Sequence, residues 1–523
     1  MHRRTLLAAG AAISLARPAL SQIGHTRVLR FVPETSLQNP DPIWSATTVA
    51  RHHGFMIWDT LYGQDSSGLP SPQMVVGHQL SDDGLNWLFV LREGLVFHDN
   101  EPVRASDCVP SILRWARRRR FGQALLARLE EIRVLDDRRF EIRLEQPFPP
   151  MLEALGTDTC FIMPERLART DAFKPIKDYV GSGPYRFVSN EWVAGARAVY
   201  ARWDKYLPVE GKPDFTSGAK VANFDRVEWT VIADAAAAAA ALQRGEVDWV
   251  QLPLVELLPV LREAPGVTVA VNDSIGVIPM IAFNHLHPPF DNPKLLRALL
   301  PAVDQSAFVE AAMGSEPGLY HVPAGVFTPG RAMANDAGLE VLTGPRDPAL
   351  TRRLVAESGY QGEKLVLMSP SDYPAIQSLC QVARDLFEQA GLNVEYASMD
   401  WATLLRRRAN REPPEQGGWN SFCTTYEGLA LATPASHFPL RGTGVHGWFG
   451  WPTSPRIEAL REAWLAAPDL PTQRDLCQQI QLLVWDEVPY IPLGQWFNPT
   501  AMRSNLIDVV KAPFPIFWGA RKV

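Results

Sequence analysis

Apolar and polar residues alternate along Arg27 to Val32. They do so again along Arg226 to Ile232, where Val227, Trp229 and Val231 share a face, and at Val267, Val269 and Val271. A period of two is that of a half-buried strand. Near residue 365 the period changes. Leu365 to Met368 is a short apolar run, and Ile376, Leu379, Cys380, Ala383, Leu386, Phe387 and Ala390 then recur at helical spacing. Gly391 supplies a helix stop, after which Leu392, Val394 and Tyr396 alternate. Strand, helix, strand in this order predicts a parallel pair with a crossover helix. A second helix is predicted from Asn292, a capping residue, with Pro293 in its first turn, Leu295, Leu296, Leu299 and Leu300 as its buried stripe and Pro301 as its kink or end. A third runs from about Gln473 to Trp485 and stops before Pro489. The run Ala235 to Ala241, preceded by Asp234, reads as a capped surface helix rather than a disordered spacer, because alanine is the strongest helix former. Strands and helices are mixed throughout, which predicts an α/β protein with no internal repeat.

A chain of 523 residues is too long for one core, so two or three lobes are expected. Arg3 and Arg4, the apolar run Leu6 to Ala16 and the exit Ala19, Leu20, Ser21 have the layout of a signal peptide over residues 1–21, cleaved after Ser21. The paired arginines are compatible with twin-arginine export and also with the general secretory route. Without that leader, 48 basic against 57 acidic residues remain, a net charge near −9, which argues against a nucleic-acid partner. One basic cluster, Arg114 with Arg117 to Arg120, reads as a solvated helix end. The first cysteine is Cys108, so no lipid anchor at a mature N-terminal cysteine is expected, and no later stretch is long and apolar enough to span a bilayer. Cys108, Cys160, Cys380, Cys423 and Cys477 are too few for a disulfide framework. One bridge is compatible with an oxidising compartment, but spacing does not name the pair. The histidine pairs His52-His53 and His285, His287 lack zinc-protease spacing, and no nucleophile elbow is present. The adjacent carboxylates Asp82, Asp83 and Glu130, Glu131 are poor catalytic partners. No enzymatic activity, cofactor or metal is predicted.

Several segments, in order, carry a resemblance. They are Gly84 to Asp107, which includes Trp87, Phe89, Leu91, Gly94, Val96, Phe97 and His98; Gly181, Ser182, Gly183, Pro184, Tyr185; Gly245 to Asp248; Phe283-Asn284 with Pro289, Phe290, Asp291; Gly418-Trp419; and Val488 to Leu493. Together they resemble family 5 of the bacterial extracellular solute-binding proteins, the dipeptide-, oligopeptide- and nickel-type binding components of ABC importers. The resemblance implies a two-lobed periplasmic-binding-protein (Venus-flytrap) fold of the large type with an extra inserted domain. By analogy domain I takes 22–57, 179–279 and 487–523, the inserted domain II 58–178, and domain III 280–486. It implies a monomer in the periplasm that closes on a peptide or small organic solute and delivers it to an ABC permease at the inner membrane. The aromatic residues of the Gly84 segment are expected to pack domain II, and the Gly181 segment to exploit glycine's conformational freedom.

In relatives the cleft wall includes the loop after the first strand, the segment from the Gly-Trp pair and the stretch after the second hinge crossing. Here these supply Glu34 and Gln38; Trp419, Asn420, Thr424, Thr425, Tyr426 and Glu427; and Trp496, Phe497 and Asn498. Trp419 and Trp496 are expected to stack on ligand, and Asn420, Thr424, Thr425 and Asn498 to orient it by hydrogen bonds. Peptide-binding members place an aspartate shortly after the Gly-Trp pair to meet the ligand ammonium. This chain has none there, and Glu427 is the substitute. That departure keeps a non-peptide solute open. A metal chelate held with His437 or His446, or an exported sensor or enzyme, are the further alternatives.

Overall fold

The computed structural model describes residues 27–157, 159–316 and 318–523. The expected leader, Met1 to Ser21, lies outside them. Two mixed sheets organise the chain. In the first, the central strand Val28–Val32 runs parallel to Arg226–Thr230 on one side and to Trp249–Val250 on the other. Arg197–Arg202 and Tyr185–Phe187 extend it antiparallel past Arg226–Thr230, and Thr500–Arg503 and Val267–Ala270 extend it past Trp249–Val250. The alternation read at Val227 and Trp229 is real: both are buried, at 0% and 2% exposure. Ala235–Gln243 is the expected helix, with the Asp234 carboxylate accepting from the Ala237 N–H.

The second sheet centres on Val277–Phe283 and Ser421–Glu427, antiparallel over seven residue pairs. Lys364–Pro370 and Asn393–Met399 form the parallel pair expected around the crossover helix Pro374–Gln389. That helix buries Ile376, Leu379, Cys380, Ala383, Leu386 and Phe387, as its spacing requires. The helix Pro293–Leu299 starts at an Asn292 cap that accepts from the Lys294 N–H and turns into a 3₁₀ segment at Leu300–Ala302, where Pro301 stands. The C-terminal helix is longer than expected, Leu470–Glu487, because Asp469 caps it through the Thr472 N–H and so starts it three residues before Gln473.

A third, antiparallel sheet of four strands, Val75–Leu80, Asn86–Leu91, Arg139–Leu144 and Leu129–Val134, builds the inserted region. Trp87, Phe89, Leu91 and Phe97 are in its core, while Val96 is only half-buried. The arginine cluster behind it is a solvated helix end only at Arg117, which is exposed. The Arg114 guanidinium is buried against Asp41, with Nη1 and Nη2 3.2 and 2.7 Å from the carboxylate oxygens, and it also donates to the carbonyls of Thr170 and Lys174. Arg118 donates to the Trp44 carbonyl and Arg119 to those of Pro42 and Ser45, and Arg120 lies 3.4 Å over the Phe438 ring. The cluster docks the insertion onto both other parts of the molecule, a tertiary role that local periodicity does not encode. Gly181 and Gly183 also differ from expectation in their reason. Neither has a positive φ. A Cβ on Gly181 would lie 1.6 Å from the Ile57 carbonyl oxygen, and one on Gly183 2.9 Å from the Ile57 carbonyl carbon. Close backbone approach is what requires glycine.

The chain passes between the two large sheets at residues 271–276 and 497–499. Strands Tyr490–Pro492 and Gln495–Trp496 pair with Val277–Phe283 in the second sheet, so the passage back comes after Trp496 rather than at the boundary between 486 and 487 drawn from the sequence. The outward passage likewise precedes Val277. The two passages touch: Gln495 Nε2 donates to the Ile275 carbonyl at 2.6 Å, and a Cβ on Gly276, whose φ is +67°, would meet the Trp496 carbonyl oxygen at 2.3 Å.

Burial also sets a pH response. Enclosure lowers His98 and His285 to about 4 and His53 and His437 to about 3, so all four stay neutral in the fold. The unfolded chain takes up protons near pH 6.5. Their stabilisation is therefore present above pH 6.5 and lost progressively as pH falls toward 4. Glu153 opposes this. Burial raises it to about 7, against the pull of Arg331, so its contribution is present below about pH 4.5 and lost as pH rises through 7. Tm is expected to fall between pH 6.5 and 4.5, and to fall more steeply in Glu153→Gln. A Tm flat across this range in both proteins would contradict the assignment.

Candidate ligand-binding cleft

The helix Thr48–Ile57 buries every residue except Thr48 and Arg51, which are one turn apart on the same face. That face meets the end of the strand Ser421–Glu427. The Arg51 guanidinium grips the Glu427 carboxylate with two contacts, Nη1 to Oε2 at 2.5 Å and Nη2 to Oε1 at 2.8 Å, and so bridges the two large sheets beside the passages between them. Around this pair stand Glu34, which accepts from the Thr48 hydroxyl at 2.5 Å; Asp273, which accepts from the N–H groups of Ile275 and Gly276; and Tyr373.

The electrostatics set these groups apart. Glu34 and Tyr373 are exposed, yet enclosure by protein raises the pKa of both. The Glu34 carboxyl is raised first by that enclosure and further by the charge of Glu427, while Thr48 and Arg51 pull it down. Asp273 follows the same pattern, with enclosure first, then Glu427, against its two backbone donors and Arg51. Three carboxyl groups thus share one guanidinium, and the excess acidity suits a cationic ligand group.

Tyr426, the neighbour of Glu427, leads to a second cluster. Enclosure pushes its hydroxyl up to about 12 although Arg120, Arg408 and a hydrogen bond with Trp448 favour its ionised form. Arg408 lies 4.3 Å from the centre of the Phe449 ring, and its Nε is buried with no hydrogen-bond partner among the described residues. Enclosure lowers its pKa. A desolvated guanidinium with an unused donor is suited to an anionic oxygen.

The expected site residues divide. Glu34 and Glu427 stand beside Arg51, Tyr426 belongs to the second cluster, and Thr425, opposite Pro279, is partly exposed at the same strand end. Gln38 is exposed and donates to the Ser36 hydroxyl. Phe497 and Asn498 are partly exposed within the second passage. Trp419, Asn420, Thr424 and Trp496 are buried. Trp419, at 0% exposure, packs edge-on against Phe422 at 5.0 Å and donates its indole N–H to the Arg408 carbonyl, so it offers no ring face to a ligand. Asn420 spends its amide on the Pro288 carbonyl and the Val366 N–H, stitching a loop to the sheet. Trp496 is packed in the main core between strands. The stacking and orienting roles expected of Trp419, Trp496 and Asn420 are corrected to structural ones. Trp419→Ala is accordingly expected to destabilise the protein by about 3–5 kcal/mol, measured by denaturant titration. A change under about 1 kcal/mol would return Trp419 to the cleft.

His437, expected as an alternative metal ligand, is buried between the Val326 carbonyl at 3.1 Å and the Tyr490 hydroxyl at 2.9 Å, and His446 is exposed. His285 and His287 engage the carbonyls of Pro489 and Arg411. No group of three or more potential ligands is assembled among the described residues. Sequence reading missed Thr48, Arg51, Asp273, Tyr373 and Arg408. Only Thr48 and Arg51 left a local signal, two polar positions one turn apart ahead of His52-His53 and an apolar run.

Comparison with known proteins agrees with this architecture. A profile of the bacterial extracellular solute-binding proteins, family 5, matches residues 70–424. The chain is 35% identical, over 99% of its length and 98% of the relative's, to a probable peptide ABC transporter periplasmic-binding protein of Sinorhizobium fredii. It is 25% identical to the glutathione-binding protein GsiB of Salmonella typhimurium over 89% of this chain and 88% of that one. Among solved structures, the dipeptide-binding protein of Pseudoalteromonas in complex with Met-Leu superposes with a TM-score of 0.77 at 17% identity, covering 95% of this chain and 100% of that one. DppA of Helicobacter pylori in complex with the peptide STSA superposes with a TM-score of 0.76 at 18% identity, covering 95% and 98%. The fold is the two-lobed periplasmic-binding fold, and the chain belongs to the bacterial extracellular solute-binding proteins, family 5.

Proposed function

We propose that this protein is the periplasmic capture component of an ABC importer, and that its ligand is a peptide or a similarly zwitterionic organic solute. The observation that carries the reading is the Arg51–Glu427 pair, one partner from each lobe, set in a wall with surplus carboxylates. A ligand ammonium entering here meets Glu427, Glu34 and Asp273, and a ligand carboxylate meets Arg51 or Arg408. Glu427 thereby takes the part of the aspartate missing after the Gly-Trp pair. The names of the relatives support the same class: one is a probable peptide ABC transporter component, and the other is named for binding glutathione, a zwitterionic solute.

The mechanism follows from the two passages at 271–276 and 497–499, which we assign as the hinge between a first lobe with its insertion and a second lobe. Ligand bound to one wall adds contacts to the other on closure, and its extra affinity for the closed state shifts the population. A micromolar ligand has roughly 8 kcal/mol available for this. An ABC permease at the inner membrane then receives the closed carrier, which acts as a monomer. Native mass spectrometry of the protein purified from periplasm, followed by denaturation, tests the ligand class. A ladder of peptide masses is expected. A single non-zwitterionic mass would overturn the reading.

A further inference from the structure

The helix Pro374–Gln389 packs on the second sheet with Cys380 in its buried stripe, and the strand Ser421–Glu427 presents Cys423 to the same core. Both residues are 0% exposed. Their side chains are in hydrogen-bonding contact with each other, and Cys380 Sγ also lies 3.5 Å from the Met368 carbonyl oxygen. The other cysteines with described contacts are differently placed. Cys108 Sγ rests on the Arg104 carbonyl within its own helix, and Cys477 lies against Trp464.

We propose that Cys380 and Cys423 form a disulfide in the exported protein. Spacing along the chain could not select this pair. The crossover topology does, because it lays the helix over the strand and brings two thiols far apart in sequence into contact, where a bond of about 2.05 Å can form between them. The chemistry balances as thiol–disulfide exchange. Two S–H bonds are lost and one S–S bond forms, while the two electrons reduce an external disulfide to two thiols and the two protons are released to them. Because both sulfurs are buried, exchange takes place while the helix is still undocked from the strand, during folding.

Contact polarises the pair. Cys423 is held well above an ordinary thiol by burial and by Cys380. Burial also opposes ionisation of Cys380, but hydrogen bonds from Cys423 and Ser369 outweigh it and lower its pKa. The bond would fasten together the two elements that end at the cleft, the helix following Tyr373 and the strand ending in Glu427, and would close a loop of about 40 residues in the unfolded chain.

The inference rests on export to an oxidising compartment, so two preparations separate the two claims. The purified chain is refolded in a buffer of reduced and oxidised glutathione, and a second sample is taken from periplasm without reductant. Both are denatured, alkylated and mapped by non-reducing proteolysis. Expected in both is a peptide joining Cys380 to Cys423, lost on reduction, with the remaining three thiols alkylated. Reductant should lower the Tm of the native protein by several degrees and leave that of Cys380→Ala unchanged. Five alkylated thiols after refolding, or linkage of a different pair, would overturn the disulfide itself. A bridged refolded sample beside a fully reduced periplasmic one would overturn formation in the exported protein and count against export to an oxidising compartment.

Discussion

Replacing Glu427 with Arg is expected to weaken ligand binding more than a hundredfold, about 3 kcal/mol, while leaving the stability of each lobe intact. The native carboxylate faces Arg51 across the lobes at 2.5 and 2.8 Å, with the side chains only 19% and 30% exposed. Two guanidiniums in that partly desolvated gap repel, so the variant opposes closure and offers no partner to a ligand ammonium. The two losses can be separated. The double variant Arg51→Met with Glu427→Met removes the repulsion and restores closure, measured as the radius of gyration in solution scattering, but does not restore recognition of the ammonium. Undiminished affinity in Glu427→Arg, measured by calorimetry with the peptides released from the native protein, would remove Glu427 from the site.

A large loss of stability is expected for Arg114→Met. Removing one partner of a buried pair costs about 3–5 kcal/mol because the other charge is left uncompensated. Here the side chains are 2% and 0% exposed. Asp41 also accepts from the backbone N–H groups of Ile43, Trp44 and Ile176, and these donors remain in the variant. The cost should therefore lie near the low end, about 3 kcal/mol, and the double variant with Asp41→Asn should recover part of it. Denaturant titration of the single and double variants completes the cycle. A loss below about 1 kcal/mol would restore the solvated-helix-end reading of the arginine cluster.

The elements that local pattern announced are those whose burial is decided by one neighbouring layer. The crossover unit from Leu365 to Tyr396, the capped helices at Asn292 and Asp234 and the strand through Val227 and Trp229 each bury the stripe their period exposes. Recognition of the Gly181 segment was also sound, but its physical basis was not local. Glycine there makes room for the Ile57 carbonyl, a residue more than a hundred positions away.

The family resemblance pointed to Glu34 and Glu427, which the fold brings beside Arg51, and the rest of the candidate wall was illegible because it depends on convergence. Asp273 and Tyr373 are unremarkable in their own segments and join the candidate wall because a passage and a helix start are brought near the charges of Glu427 and Glu34. Trp419 misled in the opposite direction, since an aromatic residue suits a ligand face and a core equally, and only packing against Phe422 and Trp451 separates the two. The sequence by itself determined the class of protein, an α/β chain of family 5, because segment order and period are properties of the chain alone. Tertiary structure decided which charges face one another, which arginines dock the insertion and which two cysteines touch. Those are relations between residues far apart in sequence, and no one-dimensional pattern holds the distance between them.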